Sequence, residues 1–337
     1  MIPHTDAQWQ ALPWQLELRD AIRSSAALRE FLSLEPGEES LEQRAQSDFA
    51  VLVPKPYARR MTPGDPLDPL LLQVLASGAE LSSPSDYSAD PLLEREKNPL
   101  PGLIHKYQGR VLLIAASGCA VNCRYCFRRH FNYSTNSPSQ SHWPDTLRYI
   151  EEDSSISEVI LSGGDPLLLH DDIFAELVSL ITEIEHVKRL RIHTRLPVVL
   201  PTRITSALCE TLARSRFRPV LVLHCNHPNE IDEDVCDAIG RLCDAGVTVL
   251  NQSVLLAGVN DDPQCLSELG EALFDAGAMP YYLHTLDKVQ GASHFAVTRD
   301  RAIEIYRQLI SRNSGYLVPK LVSECPNQPS KVPLCPY

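Results

Sequence analysis

Cys119, Cys123 and Cys126 lie within the eight residues "CAVNCRYC", and Arg128 and Arg129 follow at once. Three thiols this close exceed the needs of one disulfide and fall one short of a closed zinc site, which takes four ligands. His130 is the sole neighbouring candidate for a fourth zinc ligand. The spacing CxxxCxxC instead suits an iron–sulfur cubane, whose natural ligands are thiolates. Three cysteines leave one iron open to an exogenous ligand. A second motif, "SGGDP" at Ser162, Gly163, Gly164, Asp165 and Pro166, adds two adjacent glycines that let backbone approach a ligand closely.

The elements that must position these residues are legible from residue 98 onward. Apolar, β-branched runs recur at 110–116, 157–163, 189–195, 219–225, 247–256, 279–285 and 316–322. Amphipathic patterns such as "DDIFAELVSLITEIE" and "TRDRAIEIYRQLISR" lie between them. Strands alternating with helices at this pitch mean parallel βα units, in an open doubly wound sheet or a partial (β/α) barrel. In such barrels the chemistry sits on loops after the strands. The cysteine loop follows the first run and Ser162–Pro166 ends the second. Thr194, Arg195, His224, Asn226, His284, Asp287, Glu324 and Lys331 follow later ones, with Asn251 and Gln252 inside the fifth. That placement favours the partial barrel. Residues 1–97 read as an N-terminal helical appendage, with helical spacing at Leu16, Leu18, Ile22, Leu28 and Phe31, and a further helix in "DPLDPLLLQVLAS".

Composition narrows the class of molecule. A chain of 337 residues with 44% hydrophobic content can bury a large core. A net charge of −12 argues against non-specific binding to nucleic acid or anionic membrane. Neither a signal peptide nor a run long enough to span a bilayer is legible, so the expected compartment is the cytoplasm. Ten cysteines in so long a chain do not resemble a disulfide framework. Those at 209, 225, 236, 243, 265, 325 and 335 read as packing or incidental residues.

CxxxCxxC after a first strand resembles the radical S-adenosylmethionine enzymes. The likeness becomes specific in "GCAVNCRYCFRRHF", "ILSGGDPLL", "RLPVVLPTRIT", "HCNHPNEI", "NQSVLLAGVND" and "SGYLVPKLVSECPNQPSKVPL". Together, and in this order, they resemble the lysine 2,3-aminomutase family over essentially the whole chain. The resemblance implies a [4Fe–4S] cluster on Cys119, Cys123 and Cys126, with S-adenosylmethionine on the open iron and against Ser162, Gly163, Gly164 and Asp165. It also implies pyridoxal 5′-phosphate, held as an imine by Lys331, with Lys106 and Arg110 toward the phosphate and His224 and Gln252 in the cofactor pocket. On the same ground Arg128 clamps the substrate carboxylate, and Asp287 with Glu324 receives the ε-ammonium of L-lysine. Without the resemblance, Lys331 reads as a solvated surface group, as do Lys106 and Arg110.

Within the family, "CAVNCRYCFRRHF" and the "PSK" ending resemble the branch that makes (R)-β-lysine for modifying elongation factor P. That branch links the chain by pathway to elongation factor P and its lysyl ligase, and implies a flavodoxin- or ferredoxin-type electron donor. The chain ends six residues past Lys331, which fits this branch better than the catabolic enzymes, whose product is (S)-β-lysine. A different class also stays open: a non-catalytic iron–sulfur redox sensor or scaffold, which needs the cysteines but not Lys106, Arg110, Arg128, Asp287 and Lys331 together.

Overall fold

The computed structural model describes residues 12–133, 135–136 and 142–335. Nine strands form one sheet in sequential order: β1 (Leu103–Tyr107), β2 (Arg110–Ala116), β3 (Glu158–Gly163), β4 (Arg189–Thr194), β5 (Val220–His224), β6 (Thr248–Val254), β7 (Met279–His284), β8 (Lys320–Ser323) and β9 (Val332–Pro333). β2 through β8 run parallel. The sheet does not close, so the expected partial barrel is the architecture found. The seven runs read from the sequence are β2 to β8. The last is shorter than expected, because Gly315–Leu317 forms a 3-10 turn before it and Pro319 has no N–H to give a ladder.

Two strands were not anticipated. β1 pairs antiparallel with β2 across a two-residue turn whose second residue, Gly109, has φ +76°, a conformation that favours glycine. β9 pairs antiparallel with β8. They occupy the two sheet edges, and each brings a lysine: Lys106 lies in β1, not ahead of the first strand, and Lys331 immediately precedes β9.

β4 and β6 alternate buried positions with half-buried ones that face the barrel interior, whereas others read as continuous apolar runs covered on both faces. β3, for example, buries Val159, Ile160, Leu161 and Ser162 in succession. Outside lie α-helices at Asp171–Glu183, Ser206–Arg214, Glu233–Asp244, Pro263–Asp275 and Arg299–Arg312. The first buries Phe174, Leu177, Val178 and Ile181, the one-sided stripe its sequence shows. The other four start on Thr205, Asp232, Asp262 and Thr298, whose side chains accept from first-turn amides.

The N-terminal residues are less helical than their spacing suggests. The expected first helix is two, Pro13–Arg19 and Ser25–Phe31, because Ser24 caps the second and Ile22 pairs with Val53 as an extended bridge. "DPLDPLLLQVLAS" yields only the four residues Pro69–Leu72, capped by Asp68. The chain enters β1 after a 3-10 turn at Glu94–Lys97. One apolar core runs through both parts of the chain, including Trp14, Leu28, Tyr57 and Leu70 together with Val111, Phe174 and Leu221.

Candidate active site

A cavity of about 980 Å³ occupies the barrel mouth, lined by Cys119, Cys123, Cys126, Arg128, His224, Gln252, Asp287, Glu324 and Lys331 among others. The three thiols sit on its wall at the C-terminal end of β2. Burial pushes the Cys126 thiol up to about 11, with Cys123 adding to the rise; burial and then Cys126 push Cys119 up as well.

The arginines around the cysteines are answered by acids from the N-terminal segments. Arg124 is fully buried and grips Glu80 through Nε at 2.8 Å and Nη2 at 2.6 Å. Arg129 donates to the same Glu80 Oε2 at 2.8 Å. Arg128 makes a two-pronged pair with Glu94 at 2.7 and 2.8 Å, and its Nη1 reaches Ser162 Oγ at 3.3 Å. The cysteine loop is therefore pinned at three points to residues 80–94. Nothing in the sequence signals these acids: Glu80 stands alone beside a Ser-rich stretch, and Glu94 is one of several charges in "EREK".

The "SGGDP" turn is stitched to the same loop. Gly164 N–H donates to Ala116 O at 2.7 Å and Asp165 N–H to Gly118 O at 2.8 Å. A Cβ on Gly164 would fall 2.0 Å from Gly118 O, so this glycine lets two backbone segments touch. Asp165 is buried, and its carboxylate accepts from Thr194 Oγ1 at 2.7 Å and from the Arg195 and Leu167 amides. Its oxygens are engaged within the protein, holding the ends of β3 and β4 together. Gly164→Ala is expected to displace the cysteine loop and lower stability by about 1–3 kcal/mol. Iron per chain after anaerobic reconstitution should fall at least twofold; wild-type loading would show that the loop tolerates the shift.

Across the cavity lies the second cluster of charge. Glu324 accepts from Lys106 Nζ and Lys331 Nζ, each at 2.5 Å, and from the Tyr107 hydroxyl at 3.0 Å. The two ammonium groups outweigh burial and hold its carboxyl well below the usual range. Lys331 is on an exposed turn, yet its side chain is only 23% exposed because it points inward to Glu324. Arg110 stacks on Tyr107, with Cζ 4.7 Å from the ring centroid. Asp287 sits beside this group, and burial followed by the nearby Glu324 raises its carboxyl to about 7.

Neutral imidazoles line the wall between the two clusters. His224 bonds Gln252 at 2.8 Å, and burial with Arg195 lowers it to about 3. His193 in β4 stacks edge-on with His224 at 5.9 Å, and His284 in β7 is lowered to about 3 by burial and Lys331. His193 and His284 each keep a buried Nε2 without a partner. Asn251 and Asn226 serve the frame: Asn251 bridges Cys225, and Asn226 bonds Gln73 and Tyr125. Sequence reasoning missed His193, Tyr107, Glu80 and Glu94. The first lay in plain view at the end of a strand run, where barrel loops carry chemistry.

Residues 113–265 match the Radical SAM superfamily. The chain is 49% identical to the L-lysine 2,3-aminomutase of Escherichia coli over 95% of its own length and 94% of that protein. It is 48% identical to the Haemophilus influenzae protein of the same name, covering 94% of each. Identity to the L-lysine 2,3-aminomutase of Clostridium subterminale is 36%, over 98% of this chain and 79% of that one. The chain belongs to the lysine 2,3-aminomutase family. It is an isomerase of the radical S-adenosylmethionine type, and its cofactors are the [4Fe–4S] cluster, S-adenosylmethionine and pyridoxal phosphate of that family. The cavity of this aminomutase suits them. It offers three thiols on one wall, the cations Lys106 and Arg110, and a lysine amine directed inward. No helix among the described residues is long and apolar enough to cross a membrane.

Proposed function

We propose that this enzyme interconverts L-lysine and (R)-β-lysine, and that the product is destined for modification of elongation factor P. The observation that supports it is the pairing, in one cavity, of a three-cysteine wall with a lysine amine, an arginine fork and two carboxylates. When bound, the cluster with S-adenosylmethionine supplies a radical able to take a hydrogen from the β-carbon, and pyridoxal phosphate makes the α-nitrogen able to migrate. Cys119, Cys123 and Cys126 hold the cluster. Lys331 carries the pyridoxal group, with Lys106 and Arg110 toward its phosphate and His224 and Gln252 along the pocket.

The remaining residues hold the substrate by its two ends. Arg128, held in place by Glu94, offers its Nη1 edge to the carboxylate. Asp287 and Glu324 would receive the ε-ammonium, Glu324 being the acid already shared by Lys106 and Lys331. Holding both ends fixes which β-hydrogen meets the radical. The neutral histidines add polar contacts to this wall without adding charge. The wording "CAVNCRYCFRRHF" and the "PSK" ending are what support the elongation-factor branch over the catabolic one.

The deciding experiment is anaerobic turnover of L-lysine with S-adenosylmethionine and dithionite, with β-lysine enantiomers resolved by chiral chromatography. (R)-β-lysine supports the proposal, and (S)-β-lysine moves the enzyme to the catabolic branch. A pH dependence follows from Asp287. Its carboxyl is raised to about 7, so it is charged above that pH and neutral below. The substrate ammonium stays protonated throughout this range. KM for lysine should therefore rise as pH falls through 7, by up to about tenfold per unit. In Asp287→Asn the KM should be high and flat between pH 6 and 8, each value read from initial rates.

A further inference from the structure

Arg195, just past β4, approaches the cysteine loop from the opposite wall. Its Nη1 donates to Cys123 Sγ at 2.7 Å. Its Nη2 is anchored by Gln73 Oε1 at 2.7 Å, Glu230 Oε2 at 2.8 Å and the Tyr57 hydroxyl at 3.1 Å. The guanidinium lies over the rings of Tyr57 and Tyr125, at 5.3 and 5.8 Å from their centroids. Glu230 has no solvent exposure, and Arg195 only 6%. Swinging the arginine away would strand a buried carboxylate, so its direction toward Cys123 is set by the frame. Among the described residues no side chain donates to Cys119 or Cys126 in this way.

We propose that Arg195 tunes the iron–sulfur cluster, donating a charge-assisted N–H···S bond to one ligand sulfur and raising the cluster's reduction potential. The inference rests on the reading that Cys119, Cys123 and Cys126 hold that cluster. A [4Fe–4S] cluster gains one negative charge when reduced. A fixed cation and a donor hydrogen at a sulfur both stabilise the more negative form, and hydrogen bonds to sulfur are among the terms that set such potentials. The buried setting keeps the effect from being screened by water. The direction of the guanidinium comes from Tyr57 and Gln73 in the N-terminal segment and from Glu230 after β5. The consequence is a cluster that an external one-electron donor reduces more readily.

The test is redox potentiometry of the reconstituted enzyme, monitored by electron paramagnetic resonance of the reduced cluster. It is run without S-adenosylmethionine, so that no contact between Arg195 and that cofactor enters. Arg195→Gln is expected to make the reduction equilibrium at least tenfold less favourable, a fall of about 59 mV for one electron. Arg195→Lys should fall between the two. A Gln variant with full iron and sulfide content and an unchanged midpoint overturns the proposal. If that variant holds no cluster, the wild type is grown with 15N in its guanidinium nitrogens. A 15N hyperfine coupling to the reduced cluster is then expected, since among the described residues Arg195 is the arginine that donates to a ligand sulfur, and its absence also overturns the proposal. A wild type that forms no reducible cluster at all would instead remove the reading on which the inference stands.

Discussion

Lys331→Ala is expected to abolish aminomutase turnover, a loss on the order of 10³-fold or more, since it removes the residue proposed to carry the cofactor covalently. The variant should fold and load iron as the wild type does. Lys331 stands on a turn before β9 with its chain neighbours exposed, and its ammonium meets the frame in an ion pair with Glu324 and over the Tyr282 ring. Glu324 retains Lys106 and the Tyr107 hydroxyl, so the deletion leaves no bare buried carboxylate. Two readouts separate the chemistry from the fold: the visible absorbance of protein-bound pyridoxal phosphate should vanish, and the cluster spectrum should persist. Cleavage of S-adenosylmethionine without lysine would then continue at a basal rate. Turnover within tenfold of wild type would place the pyridoxal anchor elsewhere, with Lys106, the other ammonium on Glu324, next in line. The same test excludes the redox-sensor reading, which predicts no pyridoxal absorbance in either protein.

Glu80→Ala should produce the largest loss of stability. Glu80 lies outside the catalytic cavity's lining but answers two guanidinium groups, and the three side chains are 0–2% exposed. Removing the acid leaves Arg124 and Arg129 charged in a place where water does not reach. Breaking a buried pair in this way costs about 3–5 kcal/mol, a large part of a total stability of about 5–15 kcal/mol. The cost falls on the cysteine loop, because Arg124 also donates to the carbonyls of Phe49, Ala50 and Ala45 and so stitches that loop to the N-terminal helices. Urea denaturation should show the midpoint falling steeply, and iron retained per chain after gel filtration should drop with it. Arg148→Ala is the control. Its pair with Asp145 is 63% and 67% exposed, and such pairs contribute about 0–1 kcal/mol. Equal losses in the two variants would sink the claim that the N-terminal segment fastens the cysteine loop.

These two residues mark the division between what was legible and what was not. Strand runs and amphipathic stripes report burial along one element, a local property, so β2 through β8 and helices such as Asp171–Glu183 and Arg299–Arg312 were legible from periodicity. The cysteine spacing was equally local: three thiols on one loop already specify a cluster ligand set. Lys331 was a surface lysine to periodicity and composition, and only the likeness of the surrounding motif to a family singled it out. The edge strands escaped because β1 and β9 are short and have no pattern of their own; each exists by pairing with a neighbour.

The sequence by itself determined the order of strands and helices, the loops that face the barrel mouth and the chemistry of the cysteines. Tertiary structure alone decided which charge meets which. Arg128 finds Glu94 at a separation of 34 residues, Arg124 finds Glu80 at 44, Arg195 reaches Cys123 across 72, and Lys106 meets Glu324 across 218. Of the three arginines around the cysteines, Arg124 and Arg129 are consumed by Glu80, and Arg128 gives two of its nitrogens to Glu94. A charge in water carries no preference for its partner. It acquires one when packing removes solvent and leaves a single counter-charge within reach, and that choice is made only once the chain has closed around it.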